Sequence, residues 1–192
     1  MRARRTRSSS NSGHGEDTTI NVGYGGYQAL LRFEDIAGLG ANQIRTENVR
    51  VDSATLPFEL GDSDTLTYGF YRMLTGWDET SNWNDLVDGI QIGTKTRATP
   101  DATFTPSAQG TYSIDVTSSV QAWANNADNY GWMIDYTTFS WANGIALLPS
   151  EFVIDTLRPR LDVEYSPNPE ASTFLPLLAA MGMLSLIRRR RK

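Results

Sequence analysis

From Asp17 onward, apolar residues recur at every second position in short runs separated by Gly, Asn, Asp and Pro. That is the period of strands with one buried face. Tyr27, Ala29, Leu31 and Phe33 share one face, and Gln28, Leu30, Arg32 and Glu34 the other. Ala54, Leu56, Phe58 and Leu60 repeat the alternation, whereas Val49 and Val51 have the opposite parity. Both sets can face inward only if an extra residue intervenes, so a bulge or turn is expected near Asp52-Ser53. Leu66–Leu74 carries large residues on both faces, including Tyr68, Phe70, Tyr71 and Met73, as an inner strand would. Alternation returns at Tyr112, Ile114 and Val116, at Trp132, Ile134 and Tyr136, and at Leu161, Val163 and Tyr165.

One helical signal interrupts the strands. Thr117 or Ser118 can cap a turn or two that puts Val120, Trp123 and Ala124 on one face, with Asp115 supplying turn chemistry just before it. The stretch 96–110, TRATPDATFTPSAQG, has no periodicity and reads as an exposed loop. Many short strands with turn signals between them and a single helical turn predict an all-β body over residues 17–165, an antiparallel β-sandwich.

The last 25 residues follow a different pattern. Phe174 to Ile187 runs without a charge, and Arg188, Arg189, Arg190, Arg191 and Lys192 follow it. A charge-free run closed by a basic cluster predicts a transmembrane helix over about 174–187 with its C-terminal end on the cytoplasmic side. Its length is marginal, because roughly 14 helical residues span about 21 Å of a ~30 Å hydrocarbon core. Ala171–Thr173 and snorkelling arginines close part of that gap. At the other end, residues 1–16 are low in apolar residues and rich in Arg, Ser and Gly, a composition that predicts disorder. They begin like the n-region of a signal peptide, but no apolar h-region follows. An exported chain of this kind would need a start upstream of Met1, or another route of export.

Composition narrows the chemistry. There is no cysteine, so thiol and disulfide chemistry are excluded, and the single histidine, His14, lies in the head. The net charge of −5 averages a basic head and tail against an acidic body, where eight Lys or Arg face twenty Asp or Glu between Asp17 and Tyr165. Such a body repels phosphate backbones and argues against nucleic-acid partners. Asp78 and Glu79 are adjacent and point to opposite faces of a strand. They do not make the converging carboxylate pair that glycoside hydrolysis needs. No catalytic constellation is visible, and the chain reads as a non-enzyme.

The order Pro169, Glu170, Ala171, then an apolar helix, then the basic cluster resembles the PEP-CTERM sorting signal, with Ala171 where the motif has a second proline. The resemblance implies transient residence in the inner membrane, processing by an exosortase near Pro169-Glu170, and delivery to the cell surface or extracellular matrix. The body has its own likeness. Residues 27–34 (YQALLRFE), Ile44–Leu60, Trp77-Asp78-Glu79 with Trp83-Asn84, Ser113–Trp123 (SIDVTSSVQAW), Asn129-Tyr130-Gly131-Trp132 and Arg158-Pro159-Arg160-Leu161 follow in the order of the DNRLRE domain. Leu30-Leu31-Arg32-Phe33 stands for its name-giving strand. That resemblance implies a jelly-roll sandwich related to carbohydrate-binding modules, in which a structural Ca²⁺ is common. Asn125, Asn126, Asp128 and Asn129 offer oxygens for one, although without the spacing of a dedicated calcium loop.

Of the tryptophans, Trp77, Trp83, Trp123 and Trp132 lie in patterned elements and are expected in the core. Trp141 and Phe139, in TTFSWANG, and Tyr24, in GYGGY, fall among small polar residues; with nearby Tyr136 they are the candidate ligand-binding aromatics. Flat apolar rings beside Asn, Asp and Gln suit sugars, so polysaccharide is the expected ligand. Trp141 folded over one end of the sandwich is the structural alternative. Two rival functions stay open: a polysaccharide lyase or hydrolase, and a purely structural matrix or adhesion protein.

Overall fold

The computed structural model describes residues 2–6, 18–24, 26–36, 44, 49–78, 81, 86, 89–138 and 143–167. The expected sorting motif and transmembrane segment, Trp83, Phe139 and Trp141 lie outside them. Among the described residues no helix is long and apolar enough to cross a membrane.

Two antiparallel sheets face each other. The first runs in the order β1 (Arg2–Thr6), β3 (Gln28–Arg32), β8 (Trp132–Tyr136), β5 (Tyr68–Arg72), β6 (Ala102–Phe104). The second runs β10 (Asp162–Pro167), β4 (Val49–Asp62), β9 (Gly144–Leu147), β2 (Ile20–Gly23), with β7 (Gly110–Asp115) along the other side of β4. Alternation places Ala29, Leu31 and Phe33 of the first sheet against Ala54, Leu56, Phe58 and Leu60 of the second in one apolar core. Phe58 touches the rings of Phe70 and Phe104 across it and stacks on that of Tyr112, its partner in β7 of the same sheet. This is an all-β sandwich, as the alternation requires.

The parity change in β4 resolves as a bulge. Val51 pairs with Tyr165 and Ser53 with Glu164, which leaves Asp52 as the extra residue, so Val51 and Ala54 are both buried. The two-faced pattern of β5 has an equally direct cause. The outer face of the first sheet is covered by the segment that follows Met73, and Leu30, Tyr71, Met73, Trp77, Leu86, Ile90 and Met133 form a second apolar cluster there. Gln28 pins this cover, since its side-chain amide donates to the Ile90 carbonyl and accepts from the Ile90 N–H. Arg32 pins it again, donating to the Trp77 carbonyl at 3.1 Å with its guanidinium 5.0 Å from the centre of the Trp77 ring.

Three expectations are corrected. The head supplies β1, because the edge of β3 offers backbone partners from Gln28 to Arg32 and pairing needs no apolar side chains. Residues 96–110 are not wholly a loop: Thr96 is buried and β6 pairs with β5, a strand too short to show a period. The helix α1 (Thr117–Ala124) buries Val120, Trp123 and Ala124 as expected, but neither Thr117 nor Ser118 caps it. The Thr117 hydroxyl instead accepts from the Ala54 N–H of β4, and Asp115 Oδ1 accepts from the Thr117 N–H. Gln121 extends the same substitution, accepting from Val51 N–H and donating to Val49 O. Where β7 no longer accompanies β4, side chains of α1 take the place of a neighbouring strand.

Candidate functional site

One end of the sandwich gathers the finish of β2, β4 and β8 and the start of β3, β5 and β9. Gly23 closes a tight turn there, accepting backbone bonds from Gly26 and Tyr27. The turn holds Tyr24 at φ +43°, a left-handed conformation that costs energy in a residue with a side chain. Tyr24 N–H donates to Asn143 O at 2.8 Å, and its ring lies on the backbone of Gly144, where any Cβ would collide with it. Its hydroxyl donates to Asp62 Oδ2 at 2.5 Å, and the ring stays partly exposed. Burial first, and then the bond to Asp62, push the Tyr24 phenol up to about 12.

A second tyrosine–carboxylate pair stands beside the first. Tyr68 donates to Asp64 Oδ2 at 2.6 Å and is fully buried. Each carboxylate is also held from the backbone: Asp62 Oδ1 accepts from Ser63 N–H and Asp64 Oδ1 from Leu66 N–H. Tyr136 sits opposite Tyr68 in the β5–β8 register, partly buried with its ring against the core, and burial followed by the charge of Asp135 raises its phenol to about 12. Of the four candidate aromatics, the structure therefore brings Tyr24 and Tyr136 to the same end, both partly exposed; Phe139 and Trp141 fall outside the described residues. Asn143, which Tyr24 grips, closes the segment that carries them.

The other marked residues have structural roles. Trp77, Trp123 and Trp132 are buried, as expected of core rings. Trp132 Nε1 donates to Ser119 Oγ at 2.8 Å, which donates in turn to Asp101 Oδ2 at 2.6 Å. Asp78 is engaged in a turn with Ser81. In the Asn-rich run, Asn129 bonds Phe33 O and Gly131 N–H, and Asn125 accepts from Gln121. Gly131 is at φ +73° with the backbone of Leu31 and Arg32 where a side chain would go. Among the described residues no three His, Cys, Asp or Glu side chains are grouped to hold a metal.

Two features were not legible in the sequence. A glycine-rich turn marked Tyr24 and a two-faced strand marked Tyr68, but nothing local marked Asp62 and Asp64 as their partners. The buried Asp135, bonded to Gln28 Nε2 at 3.0 Å, lies on the face that strand alternation leaves to polar residues, and it is buried because the segment after Met73 covers that face. No protein-family model matches the chain, and no curated protein sequence matches it.

Proposed function

We propose that the chain is an exported, non-catalytic polysaccharide-binding sandwich of jelly-roll type, held in the inner membrane by its tail until an exosortase releases it to the cell surface or matrix. The observation that carries the binding reading is Tyr24. A partly exposed ring is held in a strained backbone conformation, laid on a glycine and anchored through its hydroxyl. Such strain persists where the surrounding structure over-determines it, and it clusters at ligand sites. A ring fixed in advance loses little freedom when a pyranose stacks on it. Asp62 and Asp64 are both committed to a phenol and a backbone N–H, which supports binding over hydrolysis.

The direction of the strands supports the surface role. Pro167, the last described residue, pairs with Val49 at the start of β4, and Asp62 is at the far end of that strand. At ~3.3 Å per residue the two ends lie roughly 40 Å apart. A tail anchored in a membrane would leave Tyr24 facing away from it. The order of motifs shared with DNRLRE domains and the PEP-CTERM-like ending support the same reading.

Affinity electrophoresis in gels containing neutral or acidic polysaccharides tests it. Tyr24→Ala and Trp141→Ala are each expected to abolish retention in the neutral gel with the fold intact. Tyr24→Phe, which keeps the ring and loses only the bond to Asp62, should retain part of it. Folded alanine variants that migrate like the wild type would favour the structural-matrix reading.

A further inference from the structure

The two sheets part along one flank of the sandwich, away from Tyr24. The edges there are β6 and β7, joined through residues 105–109, and between them lies an open groove of about 830 Å³ bordered by the start of α1. That volume falls in the ~300–1,000 Å³ range of ligand clefts. Phe104, Ile114 and Val51 give it an apolar floor, and Thr103, Ser113 and Ser118 line it with hydroxyls that bond to no described residue.

Its inner wall is a prearranged carboxylate. Asp101 is only 9% exposed in its side chain. Its Oδ2 accepts from Ser119 Oγ at 2.6 Å, and Ser119 is itself fixed by the indole of Trp132. Arg72 lies behind, nine-tenths buried, with Nε 3.4 Å from Oδ2 but not aligned for a hydrogen bond; neither Nε nor Nη1 has a hydrogen-bond partner among the described residues. Asp101 Oδ1 makes no hydrogen bond to a described residue, and Arg97 Nε stands 3.9 Å from it. One carboxylate oxygen is therefore held rigid from within, while the other keeps its acceptor capacity; Arg72 is buried behind it and does not line the groove.

We infer that this groove is a second binding site, for an extended, uncharged, hydroxyl-rich glycan. A sugar hydroxyl both donates and accepts, and it matches the Asp101 acceptor set beside the hydroxyls of Thr103, Ser113 and Ser118. The apolar floor suits the C–H face of a pyranose. The lining contains two carboxylates, Asp101 and Asp115, and no cationic residue, which disfavours an anionic chain. The site needs nothing from the Tyr24 end.

The test is hydrogen–deuterium exchange on the full-length protein with cellohexaose, mannohexaose and polygalacturonate, with and without Ca²⁺. A neutral hexasaccharide should protect amides of residues 101–104 and 111–118. Ser113→Arg combined with Ser118→Arg, both at exposed positions, should weaken that binding at least about tenfold without moving the unfolding midpoint. Tyr24→Ala should leave the groove's protection in place. Protection confined to the Tyr24 end, or an unchanged affinity in the double variant, overturns the groove and spares the proposed function. Groove protection that Tyr24→Ala and Trp141→Ala leave untouched, with no other glycan contact, overturns the Tyr24 site and spares the groove. Equal or tighter binding of polygalacturonate, or protection by Ca²⁺ alone, replaces the neutral glycan with another ligand. Failure of every hexasaccharide to bind overturns both readings.

Discussion

At the scale of single residues, the most consequential group is Asp135. It projects from β8 toward the covering segment, where the strand could have carried an apolar side chain, and only 8% of it is exposed. Burial raises its carboxyl from the usual value to about 6, against the pull of hydrogen bonds from Gln28 and from the Tyr136 N–H. The folded state then holds its proton more tightly than the unfolded chain does. Stability from this group is greatest below the unfolded value of about 4 and falls as pH rises through about 6. Two units correspond to a cost on the order of 3 kcal/mol at neutral pH. Asp115 acts in the opposite sense, because bonds from Thr117 lower its carboxyl, and it contributes stability that is lost on acidification. The contribution of Asp135 is isolated by difference: urea midpoints of wild type minus Asp135→Asn should decline from about pH 4 to pH 6 and then level. A difference that stays flat across that window would mean that the carboxyl is ionised throughout.

At the scale of elements, α1 replaces a strand. Gln121 and Thr117 satisfy three backbone groups of β4, the Val51 and Ala54 N–H and the Val49 carbonyl. Gln121→Leu keeps a helix-forming residue and strands two of those groups. The expected loss is about 1–3 kcal/mol, with faster amide exchange at Val51 than at Leu56, whose neighbour is β7. An unchanged exchange rate at Val51 would show that water replaces the amide at no cost. Legibility of the chain divides along the same line. The alternation at Ala54–Leu60, the parity change at Asp52 and the apolar face Val120, Trp123, Ala124 are local periodicities, and a period survives in sequence. The partner of Gln121 lies some seventy positions away and leaves no periodic trace. For the same reason β5 could be read as buried on both faces while the cover over Leu30 and Met133 could not be named. At the candidate site, a glycine-rich turn marked Tyr24, but its strain, its seat on Gly144 and its bond to Asp62 arise only when four strand ends converge. Tyr136 read equally well as a patch residue and as a core residue, and burial places its ring against the core.

At the scale of the whole molecule, the long strand β4 gives the sandwich a direction. Val49 and the exit of β10 mark one end, and Asp62 with Tyr24 marks the other. The acidic body would be repelled by an anionic bilayer surface, which favours holding the chain by its tail alone rather than lying flat. Because the chain has no cysteine, a single introduced thiol reports position without interference. Arg50 and Thr65 are both exposed and sit near opposite ends. In full-length protein reconstituted into liposomes containing nitroxide-labelled lipid, a fluorophore on Arg50→Cys should be quenched strongly and one on Thr65→Cys weakly. Release by proteolysis within residues 166–173 should abolish both signals together. Equal quenching at the two positions would mean that the body lies along the membrane and that Tyr24 is not presented outward. Failure of the protein to enter liposomes at all would remove the tail as an anchor and, with it, the sorting step.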